Sequence, residues 1–284
     1  MPVALAACAT VIIGCEVEVR VPPRGAARTA SADVVANFRE AAIPDDLSAD
    51  VERATKLGRA IYENEAIASR SVEYLVDKQQ PIDNVAFWLV WHVEAGEDYT
   101  GQSHLSVLLG TAENVPRLAY IVDGPAKFRR FEPPAPCFEG AAQEFIAERK
   151  ALAMIPEPLP DRYECIAAAA DGIGKEGGLV YVLSESTTPS DVVLGPHYRV
   201  HFDGTLDVTD VTVVADDRTV VSRAAGESVS GGDPPGIKTT LLGFSAPTEV
   251  QVLESLRHGS IPLLVSTSRG TWRVTGDMIS FAAD

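Results

Sequence analysis

The segment LGPHYRVHFDG contains the side chains that are best suited to chemistry, His197, Arg199 and His201. They alternate with apolar residues, Tyr198, Val200 and Phe202. This alternation predicts a strand whose apolar side chains face the core, while the two imidazoles and the guanidinium share the other face. Imidazoles four residues apart on a strand lie about 13 Å apart, too far to bind one metal ion together. We expect an exposed surface that can bind a carboxylate or phosphate, and neither a metal site nor a catalytic centre.

Cys15 is the second candidate, because it follows an uncharged segment, residues 1–14, that has the character of a signal peptide. Its apolar run of about 11 residues is too short to span a bilayer. The sequence VIIGC is similar to the lipobox of bacterial lipoproteins, in which the cysteine is acylated and becomes the first residue after cleavage. No Lys or Arg precedes the run, so two alternatives stay open: secretion without a lipid, and a buried first strand with an inert Cys15.

Residues 15–45 are predicted to hold the lipidated cysteine and a tether, because Pro22, Pro23 and Gly25 lie among small residues. The other cysteines are compatible with export. Cleavage would remove Cys8, and lipidation would occupy Cys15. Cys137 and Cys165 would then be available to form a disulfide in an oxidising compartment.

Overall composition excludes several classes of protein. The formal net charge is −16, and such a surface repels phosphate backbones, so we expect no nucleic-acid partner. The loop AADGIGKEGG lacks the spacing of a phosphate-binding loop, because Ala169 and Glu176 stand where Gly and Ser or Thr are needed. Neither a GxSxG nor an SxxK motif is present, and no Cys/His spacing matches a zinc site. We therefore expect no cofactor and no metal.

Two segments have the apolar periodicity of helices. Apolar residues between Val51 and Leu75 recur at spacings of three, four and seven, which predicts a helix that begins near Ser48 and ends before Pro81. Residues 139–155 predict a second helix, and Pro156 ends it.

Strand patterns follow each helix, and the sequence after Thr239 predicts hairpins, with TEVQVLESL as one of their strands. We expect an α+β fold with mostly antiparallel sheet. One arrangement has two consecutive α-β-β-β units, residues 46–136 and 137–284, the second ending in β-hairpins.

Several of these segments together resemble a group of uncharacterised exported proteins from proteobacteria. The segments are the helix LGRAIYENEAIASRSVEYLVDK followed by a tryptophan strand, then GPHYRVHFDG, PTEVQVLESL and TWRVTGDMI. The resemblance covers residues 50–282. It implies export, but it carries over no catalytic residue, because the group has no established activity.

The leading interpretation is a membrane-tethered lipoprotein that faces the periplasm and binds or assembles with a protein or a small anionic ligand. One alternative is an exported enzyme, for instance a hydrolase, with a site near His197, Arg199 and His201. The other is a cytosolic soluble domain with residues 3–13 in its core. A cleft that joins these three residues to a buried acid would favour the enzyme, whereas a convex solvated face would favour the binder.

Overall fold

The computed structural model describes residues 38–80, 85–92, 104–112, 115–123, 127–136, 139–155, 163–167, 177–184, 191–215, 220–222, 236–241, 243–259 and 261–282. The signal-like segment 1–14, Cys15, most of the tether and Cys137 lie outside the described residues. The predictions made for them remain predictions.

The described chain begins with a short strand, β1 (Glu40–Ala41), and a 3-10 turn at Asp45–Leu47. The helix α1 follows at Ser48–Asp77, as its apolar periodicity predicts. Its 30 residues make it about 45 Å long. Within the described ranges, no helix has both the length and the apolar character needed to cross a bilayer.

The first sheet is an antiparallel meander in the order of the chain. It contains β2 (Val85–His92), β3 (His104–Ala112), β4 (Val115–Asp123) and β5 (Lys127–Pro136). Tyr120 and Val122 of β4 pack against Leu75, near the end of α1. The C-terminal part of α1 therefore belongs to the core of this sheet.

The second sheet has the order β10-β9-β7-β6 and is antiparallel throughout. Its strands are β6 (Tyr163–Ala167), β7 (Gly178–Ser184), β9 (His197–Phe202) and β10 (Val208–Ala215). A separate pair joins β8 (Asp191–Val193) to β11 (Val220–Ser222). The helix α2 (Glu139–Met154) covers one face of the second sheet, where Ala147 and Ala151 pack on Val180, Val182 and Val200.

The third sheet has the order β1-β15-β14-β13-β12. Its later strands are β12 (Ile237–Thr240), β13 (Leu263–Thr267), β14 (Gly270–Thr275) and β15 (Met278–Ala282). The pair β12–β13 is parallel and the other pairs are antiparallel. The protein is thus an α+β protein with mostly antiparallel sheet, as predicted.

The third helix corrects one prediction. The segment TEVQVLESL does not form a hairpin strand; residues Glu249–Arg257 form α3. The helix is fixed at its start by a capping box, in which the Thr248 hydroxyl accepts from the Val250 amide and the Gln251 side chain accepts from the Thr248 amide at 2.9 Å. This helix supplies the connection between β12 and the parallel strand β13.

The helix α1 contributes to three cores in succession. Val51 lies in the core of the third sheet with Val265 and Trp272. Ile61 lies in the core on the second sheet, and Leu75 in the core of the first. The helix α1, which belongs to the predicted unit 46–136, therefore also packs against elements of the predicted unit 137–284.

Candidate binding cleft at the start of α3

The polar face of β9 is covered by helices. Tyr181 and Leu183 of β7 share this face, and they pack against Ile61 of α1 and against Val250 and Leu253 of α3. The prediction of an exposed, solvated face is therefore wrong. The alternation along β9 is as predicted, but α2 covers one side of the sheet and α1 with α3 covers the other.

His197 is a fully buried core residue with both ring nitrogens engaged. Its Nδ1 accepts from the Ser184 amide at 3.3 Å, so its Nε2 donates to the Val193 carbonyl at 3.2 Å. Burial lowers the pKa of His197, which favours the neutral ring. Because the ring is enclosed, it offers nothing to a ligand.

Arg199 forms the centre of a buried polar group that links β9, β7 and α3. Its guanidinium donates to Oε1 of Glu249, and the Tyr181 hydroxyl donates to the same oxygen. The side chains of Arg199 and Glu249 are only 13% and 3% exposed. Burial lowers the pKa of Arg199, but the Glu249 carboxylate outweighs this and leaves the pKa raised, so the guanidinium stays charged.

A cleft of about 80 Å³ opens beside this group. Its walls are Asp50, Arg53 and Ala54 of α1, Arg199 of β9 and residues 244–249, which lead into α3. Arg53 is 69% exposed and lies 3.7 Å from Asp50, so it stands at the mouth of the cleft. The first turn of α3 adds the positive end of a helix dipole.

His201 lies half-buried next to this cluster. Its strand position is opposite Asp210 on β10. Burial and the charge of Arg199 lower the pKa of His201, and the charges of Glu249 and Arg53 also act on the ring. Arg199 and His201 are therefore close together as predicted, whereas His197 is separated from them by its burial.

Three residues of this arrangement were not found from the sequence: Arg53, Tyr181 and Glu249. Arg53 and Glu249 lie about 200 positions apart in the chain and meet only because α1 and α3 pack together. The capping pattern Thr248–Gln251 was the available signal, since it marks a helix start whose first turn contains Glu249.

A second polar cluster lies on the same side of the second sheet. Arg257 of α3 bonds to carboxylates from three elements, Glu65 of α1, Glu164 of β6 and Glu254 of α3. Burial would raise the pKa of Glu254, but Arg257 and His258 outweigh it and lower the pKa. The hydrogen bonds of Arg257 connect α1 and α3 to the second sheet, so we assign this cluster a structural role.

Two buried acids, Glu144 and Glu148, belong to α2, which covers the opposite face of the second sheet. Burial raises the pKa of Glu144 to about 7. Burial, and then the charge of Glu144, raise the pKa of Glu148 well above its usual value. The Cys165 thiol donates to the Glu148 carbonyl, and burial raises its pKa to about 12. Its predicted pairing with Cys137 remains a prediction, because Cys137 lies outside the described residues.

Within the described ranges, no group of three or more His, Cys, Asp or Glu side chains is placed to hold a metal ion. The cleft instead combines two guanidinium groups with two carboxylates. Comparison of the chain with protein-family models, with characterised proteins and with solved structures gives no match.

Proposed function

We propose that the protein is a membrane-tethered lipoprotein that faces the periplasm, and that its α+β body has a binding role in which a ligand places an anionic group in the cleft. The sequence VIIGC and the tether after it support the anchor. The charged groups of the cleft support the binding role. The resemblance to exported proteobacterial proteins supports export, which the anchor requires.

The observation that carries the binding role is the position of Arg199 on the wall of the cleft. Its planar guanidinium is held in place by the hydrogen bond to Glu249 and stays charged, which makes it a preorganised donor for a carboxylate or phosphate. Arg53 and the first turn of α3 add positive potential from two other directions. The small volume suits the end group of a ligand, with the remainder of the ligand outside the cleft.

The binding role is tested with sodium acetate and sodium phosphate at constant ionic strength. At an anion concentration tenfold above Kd, binding raises stability by about 1.4 kcal/mol, which moves Tm by roughly 3 °C. Arg53→Gln should weaken binding severalfold, and Arg199→Gln should abolish it. The matched control is Arg59→Gln, an exposed arginine of the same helix paired with Glu63. Equal Tm shifts in all four proteins would contradict a specific site.

The lipid anchor is tested by Cys15→Ala. Acyl chains hold a protein at a membrane by about 0.8 kcal/mol per buried methylene, so the variant should leave the membrane fraction. Cys8→Ala is the control, because Cys8 lies in the segment that would be removed. Intact mass should show a mature chain that begins at Cys15 with its acyl groups. A soluble, unmodified chain that begins at Met1 would contradict the anchor and favour the cytosolic alternative.

The exported enzyme remains the second candidate, and one observation favours it. The cleft joins Arg199 to the buried carboxylate of Glu249, with His201 alongside. If this is a hydrolytic site, chromogenic ester, amide or phosphate-ester substrates should be turned over, and both Arg199→Gln and His201→Ala should remove the activity. Turnover that persists in these variants, or none in the parent, would contradict the enzyme.

A further inference from the structure

Glu249 already occupies the guanidinium that an anionic ligand would use. Its carboxylate receives hydrogen bonds from Arg199 and from the Tyr181 hydroxyl. The pair is buried and electrically neutral as a whole. A second anion that enters the cleft therefore gains little attraction from Arg199 and is repelled by Glu249.

The geometry shows that this internal contact does not use all the donors of Arg199. Glu249 takes one terminal nitrogen of the guanidinium and does not form the bidentate arrangement of the strongest pairs. Nε of Arg199 is buried and has no hydrogen-bond partner among the described residues. An acceptor that approached the guanidinium could satisfy donors that Glu249 leaves free.

Glu249 also has support that does not depend on Arg199. It lies in the first turn of α3, where the helix dipole stabilises a negative charge. The Tyr181 hydroxyl provides a further hydrogen bond. Because Tyr181 and Arg199 donate to the same oxygen of Glu249, a carboxylate that turned away from Arg199 would give up the Tyr181 bond but would remain in the first turn of α3. The helix dipole would still stabilise its charge during an exchange of partners on Arg199.

We infer that Glu249 is a built-in substitute for the ligand, and that a ligand with a terminal carboxylate binds by replacing Glu249 on Arg199. This inference rests on the proposed function. Replacement of one carboxylate by another keeps the charge on Arg199 balanced, and the cleft has room for a group of that size. The carboxylate belongs either to a small free acid or to the C-terminus of a peptide.

The test is Glu249→Gln, which keeps the shape of the side chain and an acceptor for Tyr181 but removes the competing charge. We expect acetate to bind at least tenfold more tightly than to the parent. Glu63→Gln is the control, because it changes the net charge equally at an exposed position of α1. Unchanged or weaker acetate binding in Glu249→Gln, together with its loss in Arg199→Gln, would overturn this inference and leave the proposed function standing. Absence of acetate and phosphate binding in the parent and in Glu249→Gln would overturn both.

A second variant covers the case in which Glu249→Gln does not fold, as judged by circular dichroism. Tyr181→Phe keeps the ion pair but removes the hydroxyl that holds Glu249 in place. Acetate should then bind severalfold more tightly, and unchanged or weaker binding would overturn the inference.

Trialanine with a free C-terminus and trialanine amide distinguish the two sources of the carboxylate. Binding of the free peptide at least tenfold tighter than acetate, and lost in the amide, assigns the cleft to a peptide C-terminus. Equal affinity for acetate and the free peptide assigns it to a small acid. Binding of the amide as tight as that of the free peptide would overturn the requirement for a carboxylate.

Discussion

Burial of the Glu144 carboxyl group makes the stability of the protein depend on pH below neutrality. The folded pKa of about 7 lies above the usual value of 4.5. The contribution of Glu144 to stability is therefore fully present below pH 4.5 and is lost as pH rises to about 7. The whole change amounts to about 3 kcal/mol, by the free energy that corresponds to such a difference in pKa.

Glu144→Gln should remove this dependence. The difference in free energy of unfolding between variant and parent should grow by about 3 kcal/mol in favour of the variant between pH 4.5 and 8, measured by urea unfolding. Any constant cost of burying the amide does not affect this change with pH. Glu73→Gln, at an exposed position of α1, is the control. A difference that stays constant with pH would show that Glu144 is ionised alike in both states.

For β9, the sequence predicted the strand and the side on which each residue lies, but not what covers the two sides. Alternation correctly placed Arg199 and His201 on one face and Val200 on the other, because successive side chains of a strand point to opposite sides. It could not tell that both faces are covered. The polar character of His197 suggested solvent, yet its two ring nitrogens are satisfied by the Ser184 amide and the Val193 carbonyl.

At the scale of elements, the contact between α1 and α3 depends on Gly58. A Cβ atom at this position would lie 2.6 Å from the Glu249 carbonyl oxygen and 2.6 Å from Cβ of Val252. Neither neighbour is the end of a flexible side chain, so the two helices would have to separate. The close approach of α1 to the start of α3 therefore requires a residue without a side chain.

Gly58→Ala should destabilise the protein by about 1–2 kcal/mol. Overpacking costs typically 1–3 kcal/mol, and this outweighs the gain of up to ~1 kcal/mol in helix propensity. Urea unfolding measures the change. Ser69→Ala, at an exposed position of the same helix, should be neutral or slightly stabilising. A stabilised Gly58→Ala would mean that the helices pack less tightly than described.

The three helices differed in how well the sequence revealed them. The helix α1 has one apolar stripe and one charged face, which is the pattern that periodicity detects. The helix α3 has nine residues and begins with alternating polar and apolar side chains, Glu249, Val250, Gln251 and Val252, a pattern that favours a strand, as do its valines. The missed helix explains the wrong prediction for β9, because α3 is one of the two elements that cover it.

At the scale of the whole molecule, Arg257 joins elements from distant parts of the chain. Its partners Glu65, Glu164 and Glu254 belong to α1, β6 and α3. Removing the cation would take away the positive charge that these three carboxylates share in a largely buried place. The interactions of Arg257 are therefore expected to contribute far more to the free energy of unfolding than an ion pair at the surface.

Arg257→Gln should lower the free energy of unfolding by about 3–5 kcal/mol at pH 7, as found when one partner of a buried pair is removed. Arg59→Gln, which breaks two exposed pairs, with Glu63 and Asp277, should change it by less than about 0.5 kcal/mol. Urea unfolding of both variants provides the comparison. Equal effects of the two substitutions would contradict the structural role of the cluster.

Because α1 contributes to three cores, a cut of the chain between residues 136 and 137 would leave both pieces with incomplete cores. A piece that ended at residue 136 would carry Val51 and Ile61 with no core to receive them. A piece that began at residue 137 would keep α3 but lose α1, the other helix on that side of the second sheet. Each of two chains separated at that boundary would therefore expose apolar surface that is buried in the whole protein, and such surface promotes aggregation.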